Sequence, residues 1–197
     1  IKQSLEELQN QLKPYQTEIL IIENEAVEAF EKINHIQPIS TIFSYQETGI
    51  KLTFERDQAV AKFCKKNNIV WNEYITNGVK RGLSNRKTWR DDWCEFMDLP
   101  QFTFQPKLNS FLSQDESIKI SDHFKIVTLT TSKDTPFQKG GTSTGMRYLK
   151  SFLEERVTNY SRHISKPELG RHSCSRISPY IAWGNLSMRQ VCQLALQ

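Results

Sequence analysis

Leu5, Leu8 and Leu12 fall on one face of the segment SLEELQNQL, which predicts a helix with Ser4 as candidate N-cap and Glu7 three residues later. The run Glu18-Ile19-Leu20-Ile21-Ile22 has no alternation and predicts a short strand buried on both faces. Asn24 stands where it can cap a second helix carrying Ala26, Val27, Phe30 and Ile33. A second strand is expected over residues 39–43, a third helix from about Phe54 to Lys66 with Val60, Phe63 and Cys64 inward, and a third strand over residues 69–71. This alternation predicts a parallel sheet with helices on its faces. Three short strands make a small sheet by the standard of open α/β folds. Earlier strands are therefore expected upstream, and the chain, which opens Ile1-Lys2-Gln3 and ends within a helical pattern at Gln197, reads as an internal piece of a longer protein.

The pattern then changes. TWRDDWCEFM places Trp89, Trp93, Phe96 and Met97 at helical spacing, which is read as core packing. Over residues 100–140 periodicity fades, with Pro100, Pro106 and Pro136 among many Ser and Thr, as in an extended linker. Residues 126–130 can add one short strand there, and Phe102, Phe104, Phe111 and Phe124 are apolar enough to be expected buried against a neighbouring domain. After Gly140-Gly141 the chain reads as all-helical. Thr144 can cap a helix with Met146, Leu149, Leu153 and Val157 on one face, and a loop is expected over residues 161–175. Ser178-Pro179 gives an N-cap followed by Pro at the first helical position, Gly184 stops that helix, and Ser187 caps the next. The expected fold class is thus an α/β parallel sheet unit, Rossmann-like and truncated, followed by an all-α segment.

Composition changes this picture little. The chain is 38% hydrophobic and 24% charged, ordinary for a globular protein. It shows no apolar run long enough for a membrane span and no signal-peptide pattern. Cys64, Cys94, Cys174 and Cys192 form no C-x-x-C pair and have no His at zinc-finger spacing, so reduced thiols are expected, with no disulfide, no metal site and a cytoplasmic location. No G-x-G-x-x-G follows any expected strand; Asn77-Gly78 and Arg81-Gly82 are turn pairs, which disfavours an NAD enzyme. Charge is more telling. Residues 1–138 carry 17 Lys+Arg against 19 Asp+Glu, a balance of −2, whereas residues 139–197 carry 9 Lys+Arg against 3 Glu, a balance of +6. The basic third is where a phosphate-bearing partner is expected.

Within that third, Cys174-Ser175-Arg176-Ile177-Ser178-Pro179 gathers two hydroxyls, a guanidinium and an expected helix start in six residues, a donor set suited to a phosphate. The stretch 140–191 also carries a recognisable order of residues: Gly140-Gly141, then Leu149, Phe152 and Leu153, then Tyr160, then Ser175-Arg176-Ile177-Ser178-Pro179-Tyr180-Ile181, Gly184, Leu186, Ser187 and Arg189. It resembles the entry into the FAD-binding domain of the cryptochrome/photolyase family, whose pattern is G-G-x-x-x-A/G, L-x-x-F/Y-L, a Tyr-containing loop and T-S-x-L-S-P-Y-L-x-x-G-x-L-S-x-R. Glu55-Arg56-Asp57 and residues 77–97 resemble the preceding part of that family less specifically.

The resemblance implies three regions: residues 1–99 as the end of the antenna α/β domain, 100–140 as interdomain linker, and 141–197 as the start of the helical FAD-binding domain. It implies FAD as cofactor, an antenna pigment of unknown type as a possible second one, and FAD contact by Tyr160, Cys174, Ser175, Arg176, Ile177 and Ser178. Cys174 stands where the family usually has Thr, so only a backbone contact is expected there. No catalytic residue is implied; His163 and His172 lie upstream of the His that one branch of the family uses. The implied activity is blue-light repair of pyrimidine dimers by electron transfer from reduced FAD, with damaged DNA as partner. A cryptochrome-type photoreceptor without repair is the alternative, and a flavin-free α/β domain joined to a basic helical interaction module is the third reading. The chain on its own is expected to be inactive, to lack flavin and either to self-associate or to fold its helical tail back on the α/β unit.

Overall fold

The computed structural model describes residues 1–107, 110–128 and 137–197. The chain divides into two compact units, one of Pro14–Trp93 with Gln105–Thr128, the other of Ile1–Lys13, Cys94–Phe104 and Leu129–Gln197.

The first unit holds a two-stranded parallel sheet, β1 (Thr41–Tyr45) beside β2 (Val70–Tyr74), in the register Ile42↔Trp71 and Tyr45↔Tyr74. Helix α2 (Ala26–Ile36) precedes β1, and α3 (Lys51–Lys66) makes the crossover between the strands. Val60, Phe63 and Cys64, at i, i+3 and i+4 on α3, build the core with Ile69; Phe30, Ile42 and Trp71 pack against it. Burial pushes the Cys64 thiol up from its ordinary range, in keeping with an inert core thiol. The α/β character and the parallel pairing follow the sequence pattern, but the sheet has two strands among the described residues, not three. Ile19–Ile22 forms no strand: Ile22 makes an isolated antiparallel bridge with Ile126, and Ile21 O accepts from Val127 N at 3.0 Å. The run is only half-buried, so its apolar character serves a covering segment and not a central strand. Of the expected strand at 126–130, Ile126 supplies that single bridge, and residues 129–130 lie outside the described residues.

The expected linker is more structured than its composition indicates. Helix α5 (Gln114–Ser121) is set by a full capping box, in which the Ser113 hydroxyl accepts from Glu116 N–H while the Glu116 carboxylate accepts from Ser113 N–H. Ser113-x-x-Glu116 is the sequence signal for it, and Ser117 and Ile120 are buried. The expectation of buried linker aromatics holds only in part: Phe111 and Phe124 are half-buried, whereas Phe102 is 93% exposed and Phe104 also faces solvent.

The second unit is helical: α1 (Lys2–Leu12), the end of α4 (Trp89–Asp98), α6 (Thr142–Glu154), α7 (Tyr160–His163), α8 (Pro167–Ser173), α9 (Ser178–Ala182) and α10 (Met188–Ala195). Its core is Leu149, Ile177, Tyr180 and Leu186, with Met146, Leu153, Val191 and Leu194 packed around them. Met97 is fully buried on α4, and Arg189 donates to Phe96 O at 3.1 Å while its guanidinium lies 4.5 Å from the Phe96 ring. Val157, expected on the apolar face, lies in a 3-10 turn past the end of α6 and is exposed. The expected loop 161–175 contains α7 and α8, the latter opened by Pro167. Gly184, at φ 70°, ends α9, and Ser187 forms a capping box with Gln190 at the start of α10.

Ser4 and Glu7 do not cap α1, which begins at Lys2. They serve α6 instead. Gly141 occupies its N-cap and has no side chain to offer. The Glu7 carboxylate accepts from Ser143 N–H at 3.0 Å and Ser143 Oγ–H at 2.9 Å, the Ser4 hydroxyl accepts from Gly141 N–H at 3.0 Å, and Gln3 Oε1 accepts from Gly140 N–H at 2.7 Å. A carboxylate at the positive end of a 13-residue helix is a favourable placement. Gly141 lies at φ 104°, ψ 151°, and a Cβ there would stand 2.0 Å from Glu7 Oε2. Gly141→Ala is expected to lose about 1–3 kcal/mol through backbone strain, plus roughly 1 kcal/mol for the displaced cap. Urea unfolding of the variant beside Glu7→Ala, which loses only the cap, separates the two costs.

Candidate functional site

Helix α6 ends at Glu154, and the chain turns back through α7 and α8 to Cys174–Ser178, which lies over the C-terminal half of α6. The turn is organised by Arg156, a residue the sequence reading did not single out. Its Nη2 donates to Tyr148 O at 2.6 Å, Ser151 Oγ at 3.0 Å and Ser175 O at 3.4 Å, and its Nη1 donates to Cys174 O. The acceptors on α6 are a mid-helix carbonyl, Tyr148 O, and the Ser151 hydroxyl, so the guanidinium lies along the C-terminal half of the helix. A cation two residues past a helix end is the only sequence signal for this role.

Arg176 has φ 59°, the left-handed region that a residue with a Cβ enters at a cost of about 1–2 kcal/mol. Two contacts hold it: Gln138 Nε2 donates to Arg176 O at 3.0 Å, and its guanidinium lies 5.5 Å from the Tyr148 ring centroid. Arg156 lies 5.9 Å from the same ring, so one tyrosine carries two guanidinium groups. Ile177 is buried in the core beneath the loop. Tyr180 packs its ring 5.9 Å from Tyr148 and donates its hydroxyl to Lys139 O at 2.6 Å; burial pushes its phenol pKa up. Gly145 admits this ring, since a Cβ there would lie 2.8 Å from Tyr180 Cγ.

Cys174, Ser175, Arg176 and Ile177 are thus brought together against α6. Ser178 follows as the first residue of α9 and is exposed. It does not cap that helix: Ile177 holds the N-cap position without a side-chain bond, and α9 has only five residues, so its dipole adds little. Tyr160 stands further off, at the start of α7, packed edge-on against Phe152 at 5.7 Å; Phe152 in turn lies 5.9 Å from the Arg156 guanidinium. His163 is occupied locally, its Nδ1 2.6 Å from Ser173 Oγ.

The electrostatics are one-sided. Among the described residues no ion pair involves residues 137–197, although ion pairs occur repeatedly between residues 23 and 125. No Asp or Glu follows Glu168 in the sequence. Among the described residues no hydroxyl partner engages Ser175 or Ser178, and no group of acidic, His and Cys residues could hold a metal ion. On one loop, the Arg176 guanidinium, which has no acidic partner among the described residues, and two unengaged hydroxyls fit an oxyanion and reject a cation. No described helix is long and apolar enough to cross a membrane.

No protein-family model matches the sequence, and no curated protein matches it. Among solved structures, the fold is similar to that of a bacterial class III photolyase from Agrobacterium tumefaciens, with a TM-score of 0.67 and 14% sequence identity over 98% of this chain. The chain spans 42% of that photolyase's length, and at this identity what the two share is the fold: a small parallel sheet with many helices, arranged as in part of a photolyase.

Proposed function

We propose that the chain is part of a photolyase-type flavoprotein in which the loop Cys174–Ser178 holds the pyrophosphate of FAD. The observation that carries this reading is the acid-free loop at 174–178 with Arg176 at its centre, borne on a fold shared with a photolyase over 98% of the chain. In this reading residues 1–99 end a Rossmann-like antenna domain, 100–140 link it to the next, and 141–197 begin the FAD-binding domain. Arg176 supplies charge to the phosphates, Ser175 and Ser178 supply hydroxyl donors, Cys174 and Ile177 contribute backbone, and Tyr160 lies toward the phosphate end. When bound, FAD supplies the absorption of blue light and the electron donated to a pyrimidine dimer. The chain's own part is to orient the cofactor and to offer damaged DNA a basic surface. An antenna pigment would belong to the α/β domain.

The test is the full-length protein, purified and illuminated with blue light beside an oligonucleotide carrying pyrimidine dimers. A flavin spectrum with light-dependent loss of dimers is the expected result. Flavin without repair favours the cryptochrome-type photoreceptor, and a protein that neither carries nor takes up flavin favours the basic interaction module. The proposed self-association of the isolated chain has a physical surface. Phe43, Tyr45, Val70 and Tyr74 lie exposed on the sheet face opposite Ile42 and Trp71, and parallel sheets are ordinarily covered on both sides. Light scattering across a concentration series is expected to show growth that Phe43→Ser with Tyr74→Ser reduces.

A further inference from the structure

We infer that Arg156 is the positioning residue of the 174–178 loop, turning two consecutive backbone N–H groups outward as a receptor for a phosphate-type oxyanion. Arg156 is not itself a ligand contact, because its Nη1 and Nη2 donate to protein. It draws both Cys174 O and Ser175 O onto its guanidinium. No described peptide bond is cis, and in a trans peptide the C=O and the following N–H point in opposite directions. The Ser175 and Arg176 N–H groups therefore point away from Arg156. Neither donates to any described group, in contrast to Cys174 N–H, which is bonded to Gly170 O at 2.8 Å, and Tyr180 N–H, bonded to Ile177 O at 2.9 Å. The left-handed Arg176 follows directly, and successive N–H groups leading into such a residue form the concave receptor known to suit anions.

Arginine is needed for this by geometry. The planar guanidinium reaches carbonyls on two separate segments, α6 and the loop, with donors of fixed direction, while the aromatic rings of Tyr148 and Phe152 hold it in place. A lysine at 156 keeps the charge but has a single nitrogen for four acceptors. The inference rests on the flavin reading for the identity of the anion, and adds that the receptor's shape is set from outside the loop.

The experiment measures FAD and riboflavin binding to full-length protein carrying Arg156→Lys or Arg156→Met, with circular dichroism to follow the helices. Riboflavin lacks phosphate, so it reads the remainder of the pocket. The expected result is a loss of FAD affinity of roughly tenfold or more in both variants, since Lys does not rescue, with riboflavin binding and helical signal unchanged. Retention of full FAD affinity in Arg156→Lys would show that charge alone matters and overturns the inference. Equal losses for FAD and riboflavin, or unfolding of both variants, would assign Arg156 to the fold and also overturn it. A wild-type protein that does not prefer FAD over riboflavin sinks the pyrophosphate reading itself, a result distinct from any behaviour of the variants.

Discussion

Tyr180→Ala is expected to destabilise the helical unit by about 3–5 kcal/mol, the range for removing a large buried aromatic. Tyr180 is 2% exposed and touches three things at once: the groove left by Gly145 on α6, the Tyr148 ring, and Lys139 O through its hydroxyl. Removing the ring empties that groove and leaves Lys139 O without its donor. Tyr180→Phe keeps the ring and loses only the hydrogen bond, so its cost is expected near 1 kcal/mol. Filling the groove from the other side, with Gly145→Leu, forces a clash against the Tyr180 ring and is expected to destabilise comparably. Denaturant unfolding of the three variants checks this. A loss below about 1 kcal/mol for Tyr180→Ala would contradict the packing described.

The second large effect is on binding. Arg176→Ala in the full-length protein is expected to weaken FAD by about 1.5–3 kcal/mol, or roughly 10- to 150-fold, as a charge-assisted contact is lost. Alanine retains the strain of the left-handed backbone at φ 59°, so Arg176→Gly is the informative partner. Glycine enters that region freely, which is expected to stabilise the fold while FAD affinity still falls. Equilibrium dialysis against FAD, paired with thermal unfolding, separates the two readouts. Unchanged FAD affinity in both variants would place Arg176 outside the cofactor site.

Much of this arrangement is written locally in the chain. Val60, Phe63 and Cys64 announce the buried face of α3, Gly184 the end of α9, and Ser187 with Gln190 the start of α10. The loop chemistry at Ser175-Arg176-Ile177-Ser178 is likewise visible as an acid-free cluster of donors. What escapes a one-dimensional reading is whatever depends on a distant partner. Ile19–Ile22 is apolar enough for a strand, but a strand needs a neighbour along its edge, and among the described residues Ile22 makes an isolated bridge with Ile126. Ser4 and Glu7 have the spacing of a local capping box, yet a residue some 136 positions away claims the carboxylate. Arg156 looks like one more surface cation until the carbonyls of Tyr148, Cys174 and Ser175 converge on it. Phe102 shows the converse, since at 93% exposed its aromatic character alone has not buried it.

The central claim is that the Cys174–Ser178 loop receives the FAD pyrophosphate, and the most direct measurement is a crystal structure of the full-length protein grown with FAD. Pyrophosphate oxygens are expected within about 2.7–3.2 Å of the Ser175 and Arg176 N–H groups and of the Ser178 hydroxyl, with Arg156 still bonded to Cys174 O and Ser175 O behind them. FAD seated elsewhere, or the loop turned so that its carbonyls face the phosphates, would contradict it.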